Sequence, residues 1–137
     1  SSGPAASEGT QTADAGGGDL LGMIGAAAPA QGEKLFGQCK ACHTVEKDGP
    51  NKIGPNLWGI IGGPVAHKDD FNYSDALKAA HGEGKTWTYE NLDHWLASPK
   101  DFIPGNKMTF AGLKKPEQRA AVIAYLRSMA DSPAPLE

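Results

Sequence analysis

The sequence lacks several features that mark large classes of proteins. Only two of the 137 residues are cysteine, too few for a framework of disulfide bonds. No apolar run approaches the roughly 20 residues of a membrane-spanning helix, and residues 20–25, the longest candidate, contain two glycines. Lys and Arg total 13 against 16 Asp and Glu, so the positive excess typical of nucleic-acid-binding proteins is missing. These absences predict a soluble chain without a nucleic-acid partner, and its length allows one domain.

The N-terminal segment differs in composition from the remainder. Residues 1–31 contain three acidic residues, seven glycines, no Lys or Arg and no aromatic residue. Such a segment has too little apolar surface to offset its ordering entropy. We therefore predict a flexible Ala/Gly-rich linker over 1–29, one folded domain over 30–132 and a C-terminal tail over 133–137. A short helix around Leu20 to Ala28 is the alternative.

Apolar residues recur at helical spacing in four later segments, and none alternates as a strand would. The predicted helices begin near Gly32, at Asp75 after an N-cap at Ser74, after Thr88, and at Pro116. The expected fold is therefore all-α, with four or five short helices. Loops of about 30 and 16 residues, over 44–73 and 100–115, are much longer than the usual connections of roughly 2–8 residues. We expect the chain to wrap around a buried prosthetic group.

The motif Cys39-Lys40-Ala41-Cys42-His43 indicates what that group is. Two thiols at this spacing can form thioether bonds to the two vinyl groups of a haem. The histidine that directly follows then becomes an axial ligand of the iron. This arrangement is typical of c-type haem attachment, and it predicts one covalently bound haem c whose iron alternates between Fe2+ and Fe3+.

Two other uses of paired cysteines fit the sequence less well. A thioredoxin-like redox pair belongs in a βαβ setting, for which we find no strands. A zinc site needs further ligands, usually as a second pair. His67, His81 and His94 are scattered along the chain, and each is expected at the surface and not on a metal.

A sixth iron ligand must come from elsewhere in the chain. Of the methionines, Met23 lies in the N-terminal segment and Met129 in the apolar stripe of the last predicted helix. Met108 alone lies on a loop, which is rich in proline and glycine. We predict that Met108 binds the iron opposite His43, a ligand pair that raises the reduction potential.

The sequence resembles those of class I cytochromes c, close to mitochondrial cytochrome c and the bacterial cytochromes c2. The resemblance covers about residues 30–130. It is carried by Cys39-Lys40-Ala41-Cys42-His43-Thr44-Val45-Glu46-Lys47, Gly54-Pro55-Asn56-Leu57, Phe71-Asn72-Tyr73-Ser74, Ile103-Pro104-Gly105-Asn106-Lys107-Met108 and Ile123-Ala124-Tyr125-Leu126.

The resemblance implies the class I cytochrome c fold and further contacts with the haem. The Pro55 carbonyl is expected to accept a hydrogen bond from His43, which orients the ring. Tyr73 and Trp87 are expected to hydrogen-bond a buried haem propionate. Gly63 stands where many relatives carry an arginine near a propionate. The resemblance also implies that Gly32 and Phe36 meet Tyr125 and Leu126 where the first and last helices cross.

The function implied is single-electron transfer, and we expect no enzymatic activity. The expected partners are respiratory or photosynthetic membrane complexes, such as a cytochrome bc1-type reductase and a terminal oxidase. We expect a monomer in the periplasm that is tethered, if at all, by an N-terminal anchor outside this sequence. The mitochondrial intermembrane space is the alternative location. A haem enzyme or gas sensor with an open sixth position is the alternative function.

Overall fold

The structure is a computed structural model that describes residues 17–108 and 110–136, with side chains from Leu20 onward. The helices in these residues are α1 (Gly17–Ala26), α2 (Pro29–Leu35), a 3-10 helix (Phe36–Gln38), α3 (Asp75–Gly82), α4 (Tyr89–Ala97), α5 (Pro99–Phe102) and α6 (Pro116–Ser128). Within the same residues the one β-type contact is an isolated bridge between Pro64 and Thr86. The predicted all-α fold is confirmed, and the described residues form six α-helices where four or five were expected.

The crossing of α2 and α6 organises the core. Gly32 is buried, and a Cβ atom there would lie 2.8 Å from the Cβ of Tyr125. The missing side chain therefore lets the two backbones approach closely, as the resemblance implies. The Phe36 ring packs on the Tyr125 ring with centroids 5.5 Å apart. This crossing holds the segment that follows α2 against the centre of the domain.

The caps of the middle helices agree with the prediction. The Ser74 hydroxyl accepts from the Leu77 amide at the start of α3, and the Thr88 hydroxyl accepts from the Asn91 amide at the start of α4. The first predicted helix differs, because α2 begins at Pro29 and is α-helical only to Leu35. A proline suits the first turn, where its missing N–H is not needed.

The linker prediction is wrong for residues 17–29, because α1 occupies Gly17–Ala26, Ala27 packs on the core and α2 begins at Pro29. Leu20 and Ile24 are 4% and 2% exposed, and α1 packs against α6 and α4. One side of this segment carries the apolar residues at helical spacing: Leu20, Met23, Ile24 and Ala27. The average composition of the segment does not reveal this apolar face. The remainder of the predicted linker, residues 1–16, lies outside the described residues.

The C-terminal tail also contacts the domain. The Ala134 carbonyl accepts a 2.6 Å hydrogen bond from the Tyr89 hydroxyl and a 3.0 Å bond from Arg127 Nε. Leu136 packs against the hydrophobic core. Glu137 lies outside the described residues. In the part of the chain that the structure describes, no helix has the length and apolar character needed to cross a membrane.

Candidate functional site

A large cavity of about 730 Å³ lies between the helices and the two long loops. Its walls are mainly apolar, and no Asp or Glu among the described residues lines it. All the residues predicted to contact the haem line this one cavity: Cys39, Cys42, His43, Pro55, Tyr73, Trp87 and Met108. The fold therefore brings together side chains that are up to 69 positions apart in the sequence.

The two cysteines lie in turns that continue the chain beyond the 3-10 helix. The amides of Cys42 and His43 both donate to the Cys39 carbonyl, at 3.1 and 2.9 Å. Burial, and to a smaller extent the nearby Cys42, raises the pKa of the Cys39 thiol to about 11. A catalytic redox thiol needs a lowered pKa, so this environment disfavours the thioredoxin-like alternative.

His43 is oriented by the loop that faces it. Its Nδ1 lies 2.8 Å from the Pro55 carbonyl, the contact that the resemblance implies. This contact uses Nδ1 and leaves Nε2 available to a ligand. Burial is the main reason that the pKa of His43 lies below its usual value. The Pro55 carbonyl acts in the opposite direction, and Lys52 adds to the lowering. The lowered pKa favours the neutral ring, the form that binds metals.

Gly54 completes the support of His43. A Cβ atom at Gly54 would lie 2.7 Å from His43 Nδ1 and 2.8 Å from Nε2, so any side chain would overlap the ring. The Gly54 amide donates to the Cys42 carbonyl at 2.7 Å, which ties this loop to the cysteine motif. The position of the imidazole thus depends on the absence of a side chain.

Met108 reaches the cavity from the opposite long loop. Its amide donates to Asn106 Oδ1 at 2.8 Å, while Asn106 Nδ2 donates to the carbonyls of Pro99 and Ile103 at 2.9 and 2.8 Å. The Asn106 side chain therefore fixes the turn that presents the thioether. Met23 and Met129 pack on the core and do not line the cavity.

Tyr73 and Trp87 form a buried polar and aromatic part of the wall. The Tyr73 hydroxyl accepts a 3.1 Å hydrogen bond from the Lys68 amide. The Trp87 and Trp95 rings meet edge to face, with centroids 5.3 Å apart. Both residue types combine a large apolar surface with one polar group that needs a partner.

The histidine prediction is wrong for one residue. His81 and His94 are exposed, as expected, but His67 is half-buried and lines the cavity. Its sequence neighbours show no apolar periodicity, because it lies on a loop. Only the fold of the segment 65–73 turns it inward.

These residues fit a covalently attached haem. The cavity lies within the range of roughly 300–1,000 Å³ that is usual for cofactor sites. Two thiols, one oriented imidazole and one thioether face it, and these are the donors that a c-type haem uses. The neutral imidazole and the apolar wall suit a large, mainly apolar macrocycle.

Comparison with known proteins agrees with this assignment. The model of the Cytochrome c family matches residues 29–130. Cytochrome c2 of Agrobacterium tumefaciens (strain II Chrys) is 48% identical over 103 residues, which cover 75% of this chain and 93% of that protein. A cytochrome c homolog of Bradyrhizobium diazoefficiens is 45% identical over 115 residues, 83% of this chain, and this chain spans 61% of that relative's length.

A solved structure shows the same fold. Cytochrome cH from Methylobacterium extorquens superposes with a TM-score of 0.67 at 43% identity, over 74% of this chain and 99% of that one. The family match spans most of the chain, and the cytochrome c2 relative is nearly half identical over almost its whole length. The chain therefore belongs to the cytochrome c family, as a class I member, and is an electron carrier with covalently attached haem c.

Proposed function

We propose that seven residues hold the haem in this chain. Cys39 and Cys42 form the two thioether bonds, and His43 Nε2 and Met108 Sδ bind the iron from opposite sides. Pro55 orients His43, and the polar groups of Tyr73 and Trp87 bind a propionate. The observation that supports this set most directly is that all seven residues line one cavity.

The proposed ligand pair explains electron transfer without enzymatic chemistry. A bound haem supplies one-electron chemistry between Fe2+ and Fe3+. His43 and Met108 together leave no open position for a substrate or a gas. Gly54 and Asn106 hold the two ligands from separate loops, so the ligand set changes little between oxidation states. A haem enzyme or gas sensor would need a free position on the iron, and in this proposal Met108 occupies that position.

Carbon monoxide tests the ligand assignment. The reduced holoprotein should change its spectrum little on addition of the gas, whereas Met108→Ala should bind it. The same variant should lose the sulfur-to-iron charge-transfer band of the ferric spectrum and have a lower potential. Met129→Ala is the matched control, because Met129 lies outside the cavity wall. Gas binding by the control and not by Met108→Ala would show that the wrong methionine has been assigned.

We further propose that electron-transfer partners dock where the cavity reaches the surface. Ile53 is 80% exposed and lines the cavity. Lys107 also lines it and is exposed, while Lys40 and Lys52 are exposed neighbours of residues that line it. This positive rim around an apolar contact favours an acidic partner surface and raises the encounter rate roughly 10- to 1,000-fold at low salt.

The docking proposal predicts how the rate depends on salt. Oxidation of the reduced protein by a terminal oxidase, followed by stopped flow, should slow as ionic strength rises. Lys52→Glu with Lys107→Glu should lower the rate and flatten its salt dependence. Lys34→Glu is the control, because Lys34 is an exposed lysine of α2, and neither it nor its sequence neighbours line the cavity. An unchanged wild-type rate across the salt series would contradict electrostatic docking.

Members of the cytochrome c family carry electrons between redox partners, and their bacterial cytochrome c2 members are typically periplasmic. For this chain we propose a monomer that accepts electrons from a cytochrome bc1-type reductase and passes them to a terminal oxidase. We propose the periplasm as its location, with any membrane tether on the N-terminal side of α1. Fractionation of the native host into periplasm, membrane and cytoplasm tests the location.

A further inference from the structure

The loop that carries Met108, residues 103–115, is fixed at two points along its length. Near its start, the Asn106 side chain bonds two backbone carbonyls. Near its end, the Leu113 amide donates to the Leu96 carbonyl of α4 at 2.7 Å. Met108 lies between these two points, so its position depends on both. The contacts proposed for the haem do not explain what keeps the second point in place.

Arg119 of α6 reinforces this second point. Its Nη1 donates to the carbonyls of Leu113 and Lys114 at the end of the loop, at 2.9 and 3.2 Å. Its Nε donates to Asp93 Oδ1 of α4 at 2.7 Å. The planar fork of an arginine is suited to several acceptors at once. One guanidinium group therefore connects the loop, α6 and α4.

The loop backbone touches α4 beside this connection. Gly112 has a φ of +117°, a left-handed conformation that favours glycine. A Cβ atom there would lie 2.8 Å from the Ala97 carbonyl carbon, so the two backbones are in direct contact. The helix α4 also forms part of the cavity wall, through Leu92, Trp95 and Leu96. The connection therefore fixes the end of the loop directly on a wall of the haem cavity.

Asp93 is the residue that keeps Arg119 in this position. The Asp93 and Arg119 side chains are 12% and 11% exposed, and neither lines the cavity. A buried ion pair seldom adds stability beyond that of apolar residues of similar volume, so the fold alone does not require one here. The carbonyl acceptors of Arg119 are neutral, whereas hydrogen bonds to an ionised acceptor are about twice as strong. Without the carboxylate, the guanidinium would turn to water and leave the loop carbonyls.

We infer that Asp93 is a positioning residue that holds Arg119 on the end of the loop and so keeps Met108 on the iron. This inference rests on the iron ligands proposed above. Asp93 acts through Arg119 and the loop backbone, since its own side chain does not line the cavity. The effect is that the thioether leaves the iron less often, which keeps the sixth position closed and the potential high.

Carbon monoxide measures how readily Met108 leaves the iron of the reduced, haem-bound full chain, because the gas needs the position that the thioether vacates. Asp93→Asn removes the charge at nearly constant size, and Arg119→Lys keeps the charge but lacks the planar fork. Each substitution should raise the affinity for the gas about tenfold. A tenfold change corresponds to about 1.4 kcal/mol, close to the value of one hydrogen bond to a charged group.

Ile24→Ala is the control for general destabilisation. Ile24 packs in the core from α1 and does not line the cavity, so this variant should bind the gas with the affinity of wild type. An unchanged affinity in Asp93→Asn or in Arg119→Lys would overturn the inference. An equal rise in Ile24→Ala would also overturn it, because the effect would then follow from lost stability alone.

Guanidinium unfolding of the ferric protein separates positioning from stability. In wild type and Ile24→Ala, the sulfur-to-iron charge-transfer band and the far-UV circular dichroism should be lost together. In Asp93→Asn the band should be lost at a lower guanidinium concentration than the helical signal, because the loop is released before the domain unfolds. Coincident transitions in Asp93→Asn would overturn the inference alone. A wild type without the band would overturn the assignment of Met108 as a ligand, and this inference with it.

Discussion

Substitutions in α1 test whether this helix is part of the folded domain. Ile24 is 2% exposed at the contact with the rest of the core. Replacing such a residue by alanine removes buried surface and leaves a cavity, at a cost of about 2–5 kcal/mol in a rigid core. Because α1 is peripheral, the loss cannot exceed the free energy with which the helix docks. We therefore expect Ile24→Ala to lower the free energy of unfolding by about 2 kcal/mol, near the lower end of that range.

A second substitution in the same helix should have the opposite effect. Gly22 is exposed, and a Cβ atom there would meet nothing within 4 Å. Alanine is favoured over glycine inside a helix by about 1 kcal/mol. Gly22→Ala should therefore stabilise the protein if α1 forms, and the two substitutions together identify a docked helix by their opposite signs.

The measurement is thermal and guanidinium unfolding of the haem-bound protein. Far-UV circular dichroism and haem absorbance should give coincident transitions, which justifies a two-state free energy. At about 4 °C per kcal/mol for a chain of this size, Ile24→Ala should lower Tm by roughly 8 °C. Deleting residues 1–28 should cost at least as much. If both substitutions stay within about 0.5 kcal/mol of wild type, residues 17–28 behave as the linker that composition predicts.

Three further substitutions test the core and the site. Gly54→Ala should force the His43 ring out of place, so the ferric spectrum should show altered axial ligation, and an unchanged spectrum would contradict the overlap at this glycine. Asp93→Ala should lower the free energy of unfolding by about 3–5 kcal/mol, because the buried Arg119 loses the carboxylate that lies 2.7 Å from its Nε. A loss below about 1 kcal/mol in denaturant unfolding would show that water replaces the carboxylate. Gly32→Ala should lower Tm, unlike Gly22→Ala, because its Cβ would overlap the backbone of α6.

The chemistry of the site can be predicted from short stretches of sequence. The motif from Cys39 to His43 needs no tertiary information, because both thiols and the imidazole lie within five consecutive residues. The helix caps are equally local, since Ser74 bonds an amide three residues further on. Met108 could be chosen from three methionines, because the others fall in a segment or stripe with a different expected role.

Two features could not be obtained in this way. The apolar face of α1 has few apolar residues, and they lie in a Gly-rich segment. Whether this face stabilises the fold depends on α4 and α6, because these helices supply the surface that buries it. His67 lies on a loop without periodicity, and its inward position follows from how the segment around Tyr73 closes over the cavity. Local covalent and hydrogen-bonding chemistry determined the haem motif and the starts of α3, α4 and α6. Contacts between distant segments decided that α1 packs and that His67 faces the cavity, because burial belongs to the assembled surfaces and not to any one stretch of chain.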